Sequence, residues 1–172
     1  PSVEVISGDS ENTFKLASAA DWTTFRQDLL HPTVRNLYYW GHGGPNHIGE
    51  GSTNTSMNWF ALTKHLNNLW GYPNQHAYRF VFLDGCLTAT GNLPVAFGIM
   101  RMPLSQQWFQ DRGLRERTFL GWDAYVLAAG GAVNNQHSIF LDTFFTSWGS
   151  GDTVREAIEA AAGPLGASLL ND

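Results

Sequence analysis

A single cysteine, Cys86, stands in a chain of 172 residues. That rules out an internal disulfide and a cysteine-rich zinc site, and leaves either a small apolar packing residue or a reactive thiol. Charge is scarce as well. Charged residues make up 15% of the chain, lysine occurs only at Lys15 and Lys64, and the formal net charge is −5. Arg112, Arg115 and Arg117 form the one mild basic cluster, so the electrostatic footprint of a nucleic-acid binder is missing. No apolar stretch approaches the length of a membrane span. Neither nucleic acid nor a membrane is therefore expected as a partner. The chain begins at Pro1, with no initiator Met and no basic-then-apolar signal pattern, as a trimmed or mature fragment would. Its polar but uncharged surface residues (Asn, Gln, Ser, Thr) are of a kind seen in some secreted bacterial proteins.

What is present is enough apolar material for a core. Apolar residues make up 43%, with seven Trp and eleven Phe, and the length suits a single domain over residues 1–172. Val3 to Ile6 reads as a short strand. Asp21 to Leu30 reads as a helix stopped by His31-Pro32. Val34 to Trp40 is β-branched and aromatic and leads into the turn Gly41-His42-Gly43-Gly44-Pro45. Residues 45–56 read as an exposed loop, and Met57 to Leu69 as a helix with an apolar stripe. Ala77 to Leu83 is the strongest strand signal and runs into Asp84-Gly85-Cys86. Gly91 to Met100 has the pattern of a helix with Pro94 in its first turn. Residues 101–117 form a connection, and Arg117 to Trp122 reads as another buried strand. Ser138 to Trp148 and Thr153 to Ala162 read as helices, the second capped by Asp152. Strands alternating with helices predict an α/β three-layer sandwich with a mainly parallel sheet.

In such a sheet, functional groups collect beyond the carboxyl ends of the strands. His42 follows one strand and Cys86 another, 44 positions later, enough for a loop, a helix and a parallel return. An imidazole beside a thiol promotes its deprotonation, which makes sulfur a nucleophile. Glycine at 43 and 85 leaves backbone N–H groups free to approach a developing oxyanion. The bland readings are a packed cysteine and a turn histidine. His47 lies five residues from His42, but no third ligand accompanies the pair, so no metal and no cofactor is expected.

Leu37-Tyr38-Tyr39-Trp40-Gly41-His42-Gly43 and Phe80-Val81-Phe82-Leu83-Asp84-Gly85-Cys86 resemble the two motifs of the caspase-like superfamily (clan CD) of cysteine peptidases. That group includes caspases, metacaspases, legumain, gingipain, clostripain, separase and bacterial CHAT domains. The likeness runs from residue 34 to about 122 and is nearest the gingipain, clostripain and CHAT branches. It implies a caspase-like fold, with His42 as general acid or base and Cys86 as nucleophile. The N–H groups of Gly43 and Cys86 would form the oxyanion hole. Asp84, two residues before the cysteine, would sit in the pocket for the substrate side chain and select cleavage after Arg or Lys. Asp123 would be a second pocket acid and Trp122 a pocket wall. The partner implied is a protein or peptide substrate.

Only four strand signals appear, fewer than a full caspase-like domain carries. The shortfall implies an N-terminal strand and helix upstream, flanking domains, or a processed partner chain. Cleavage within Arg112 to Arg117 would suit a basic-specific enzyme acting on itself. Three functions fit these residues: an endopeptidase cleaving after a basic residue, a catalytically silent caspase-like module that binds or scaffolds, and a cysteine hydrolase or acyltransferase of another kind.

Overall fold

The structure, a computed structural model, describes residues 2–6, 35–49, 56–58, 78–99, 117–126 and 135–163. The chain divides into two compact units, Pro1–Val126 and Leu127–Asp172. In chain order the first holds strands β1 (Ser2–Ile6), β2 (Asn36–Trp40), β3 (Gly43–Gly44), β4 (His47–Gly49), β5 (Ser56–Asn58) and β6 (Phe80–Asp84), a one-turn helix α1 (Leu93–Ala96), and β7 (Thr118–Gly121). The second holds helices α2 (Asn135–Gly149) and α3 (Val154–Ala162).

Four strands make one sheet in the order β1-β2-β6-β7. β1 runs antiparallel to β2 at one edge; β2, β6 and β7 are mutually parallel. This is the α/β class expected, with a small, mainly parallel sheet. The β-branched and aromatic run of β6 is buried at all five positions, so both of its faces are covered. Tyr38 and Phe82 are register partners whose rings meet edge-on at 5.3 Å, and the Phe82 ring lies 6.3 Å from that of Trp122. Phe97, just beyond α1, packs against Tyr78 at 5.4 Å and Phe119 at 6.4 Å.

A second, antiparallel sheet of β3, β4 and β5 lies where the sequence suggests an exposed loop over 45–56. Its strands are two or three residues long, too short to show an alternating pattern. Met57 is in β5, so no helix starts there, and residues 59–69 lie outside the described ones. Among the described residues 91–99, helical structure is limited to α1. Pro94 does stand in its first turn, and Gly98 ends the segment at φ 70°. The helix expected over 21–30 and the connection over 101–116 lie outside the described residues. Arg117 stands at the mouth of β7, half-buried, and desolvation lowers its pKa from the usual arginine value.

In the second unit α2 and α3 pack on one another around Phe140, Phe144, Ala157 and Ala161, all buried. The two phenylalanine rings stack at 6.1 Å and 7° on consecutive turns of α2. The cap of α3 is Thr153, not Asp152. Thr153 accepts from the Glu156 N–H at 3.3 Å, and the Glu156 carboxylate accepts from the Thr153 N–H at 2.8 Å, a complete capping box. Asp152 instead accepts from the Ser147 hydroxyl on α2. Thr153→Ala should therefore lower stability by about 1 kcal/mol in urea unfolding, whereas Asp152→Ala should cost less. The bonds from Thr153 hold the Glu156 carboxyl below its ordinary pKa. The carboxylate's share of the cap is thus present above that ordinary value and lost as pH falls through the depressed one.

Candidate active site

The parallel pairing of β2 and β6 sets Trp40 opposite Asp84, so the turns that follow leave the same edge of the sheet side by side. They touch through backbone. The Gly41 N–H donates to the Asp84 carbonyl at 3.1 Å. A Cβ on Gly85 would stand 2.8 Å from the Gly41 carbonyl oxygen and 3.3 Å from the Gly43 nitrogen. Only glycine allows that approach. Further along, a Cβ on Gly91 would overlap the Pro45 carbonyl, and the Asn92 N–H donates to the Asn46 side chain at 3.0 Å.

His42 is exposed on the turn between β2 and β3. Its carbonyl is fixed by the Tyr39 hydroxyl at 2.8 Å and the Gly49 N–H at 2.7 Å. The bond from Gly49 makes residues 42 and 49 the hydrogen-bonded pair of the hairpin. By alternation the Gly43 N–H faces away from β4 and takes no part in that ladder. Cys86 is half-buried, and its N–H makes no hydrogen bond among the described residues. Two backbone donors on touching turns, both on half-buried residues, thus make no hydrogen bond among the described residues. The Cys86 sulfur itself bonds to one residue, Val126, lying 3.3 Å from both its N–H and its carbonyl. No hydrogen bond joins the His42 ring to the sulfur. Catalytic contacts of this kind are often long before substrate arrives.

The Cys86 turn is held by Thr88, a fully buried hydroxyl whose value the sequence does not advertise. It reaches the carbonyls of Leu83 at 2.6 Å and Gly85 at 3.0 Å and accepts from the Trp122 N–H at 3.3 Å. Two further bonds run between the turn and the segment after β7, from the Leu87 N–H to Ala124 and from the Ala89 N–H to Trp122, each 3.0 Å. Leu87 is left-handed, with φ 57°, a conformation that costs a non-glycine residue about 1–3 kcal/mol. Strain of that size sits directly beside Cys86.

Asp84 is only 2% exposed. Its two oxygens accept from the Tyr38 hydroxyl at 2.8 Å and from the Trp122 indole N–H at 2.6 Å. Trp122 and Asp84, named together from the sequence, are thus in direct contact. Asp123, named with them, is exposed and makes no hydrogen bond among the described residues. His47 lies over Gly44 in the hairpin. Among the described residues no group of three or more His, Cys, Asp or Glu could hold a metal ion, and no helix is long and apolar enough to cross a membrane.

Compared with known proteins, the chain matches no family model, and no curated protein or solved structure is significantly similar to it.

Thr88→Val keeps the shape but removes the hydroxyl, leaving two carbonyls and one N–H without it. Unfolding free energy in urea should fall by about 1–3 kcal/mol.

Proposed function

We propose that this protein is a cysteine endopeptidase working through His42 and Cys86, on a caspase-like three-layer sandwich. The observation that carries the reading is the pair of unpaired N–H groups, of Gly43 and Cys86, on touching turns at the carboxyl ends of β2 and β6. In this reading the thiol proton passes to the His42 imidazole as sulfur attacks a peptide carbonyl carbon. The carbonyl electron pair moves onto oxygen, where the two N–H groups receive it. The C–N bond then breaks, the amine leaves with the proton from His42, and water hydrolyses the thioester.

The segment after β7 borders the Cys86 turn. Trp122, Ala124 and Val126 turn their backbone groups towards the Cys86 turn. The chain bends at Asp123 and Ala124 between these contacts, and neither Asp123 nor Tyr125 makes a hydrogen bond among the described residues. Preference for Arg or Lys rests on Asp84. It is a buried carboxylate at the carboxyl end of β6, two residues before Cys86, and a carboxylate there favours a cationic side chain.

Incubation with a peptidyl-Arg chloromethylketone should alkylate Cys86, and His42→Ala should slow this by about 10²-fold or more, read by intact mass. A wild-type thiol left unmodified at neutral pH would sink the dyad. In a fluorogenic panel with Arg, Lys, Asn or Asp before the scissile bond, Asp84→Asn should erase the Arg-to-Asn ratio of kcat/KM. A ratio is the proper readout, because losing a buried carboxylate also disturbs Tyr38 and Trp122. An unchanged ratio would remove Asp84 from the pocket.

A second reading is favoured by the missing bond between His42 and the sulfur. It is a catalytically silent module of the same fold, in which Cys86 is a packing residue held by Val126. It predicts alkylation at the same rate in wild type and in His42→Ala, and no turnover of any member of the panel.

A further inference from the structure

The Cys86 sulfur meets the N–H and the carbonyl of a single residue, both at 3.3 Å. A backbone directs these two groups to the same side only where the residue is extended, so Val126 offers the sulfur what a strand edge offers a neighbouring strand. The two contacts answer to different protonation states. An S–H can donate to the carbonyl, and a thiolate can only accept, which it does from the N–H. When the proton leaves, the carbonyl contact loses its hydrogen and sets lone pairs against a charge. The N–H contact becomes charge-assisted and strengthens.

We infer that the backbone N–H of Val126 is a positioning group that holds and stabilises the Cys86 thiolate while His42 carries the proton. The inference rests on the peptidase reading and adds a donor to it. The proton moves from sulfur to an imidazole nitrogen, no electron is transferred, and the sulfur stays where the thiol was because one of its two bonds survives. Two backbone donors, from Gly43 and Cys86, then serve the substrate oxygen, and a third, from Val126, serves the nucleophile. The segment bearing Val126 is itself tied down by the bonds to the Trp122 and Ala124 carbonyls, so the donor is fixed before the charge appears. Among the described residues, the charged or titratable groups on the segments packed round Cys86 are His42 on the β2–β3 turn, Asp84 at the end of β6, and Asp123 and Tyr125 after β7.

The test uses the whole chain. The Val126 amide resonance in a ¹H–¹⁵N spectrum, followed against pH, should move downfield with the same midpoint as the pH–rate profile for iodoacetamide alkylation of Cys86. Cys86→Ser should abolish that movement. A Val126 amide that stays still while the thiol ionises, or that moves only with the carboxylates in the acid range, overturns the inference. Val126→Pro, which deletes the N–H and keeps the carbonyl, should slow alkylation at pH 7 about tenfold relative to Val126→Ala, which keeps both, and push the profile to higher pH. A folded Val126→Pro protein with an unshifted profile also overturns it; if that variant does not fold, the amide titration decides alone. His42→Ala separates the two readings. Loss of its effect on alkylation removes the dyad, whereas a still Val126 amide with the His42 effect intact removes only the Val126 donor.

Discussion

The in-register parallel pairing of β2 with β6 is the constraint on which the rest of the site depends. With Trp40 opposite Asp84, the two chains leave the sheet at one level and in one direction. A shift of a single residue would turn Cys86 and its neighbours to the opposite face. The pairing is secured by the burial of all of β6 and by the edge-on contact of Tyr38 with Phe82. Every feature of the turns follows from it: the backbone contact at Gly43 and Gly85, the unpaired donors, and the reach of Thr88.

Polar satisfaction is distributed unevenly around that edge. Asp84, the deepest charge, has a donor on each oxygen, and Thr88 bonds in three directions. Among the described residues, the N–H groups of Gly43 and Cys86, on the turns that touch beside the thiol, make no hydrogen bond. A fold that serves its buried carboxylate so fully and leaves adjacent N–H groups unmet has the division of labour expected of a scaffold and its working surface. The strained Leu87, next to Cys86, belongs with the second group.

Much of this was legible in the residues. β2 and β6 declare themselves by apolar, β-branched and aromatic runs, and the glycines after each announce a turn where chain approaches chain. The meeting of the His42 and Cys86 turns follows from the parallel pairing of β2 with β6, whereas the antiparallel place of β1 at the sheet edge has no signal in the residues. What was illegible depends on partners distant in sequence. The β3–β4–β5 hairpins are made of strands too short for periodicity. Thr88 and Val126 carry no local signal, because a threonine after a turn and a valine after a strand are ordinary until their neighbours are known. The capping of α3 shows the same limit at short range. Asp152 and Thr153 both have the chemistry for it, and Ser147 on α2 engages the first while the capping box goes to the second.

The contact of Gly91 with Pro45, with Asn92 bonded to Asn46, joins the two turns a second time, away from the cysteine. Two points of attachment make the pair a closed frame, and a frame fixes the lengths of both its sides. An insertion in the stretch from Gly41 to Asn46 would need a matching one between Gly85 and Asn92 to keep both joints. Neither turn can be exchanged for a foreign loop by itself; the two form one transplantable part.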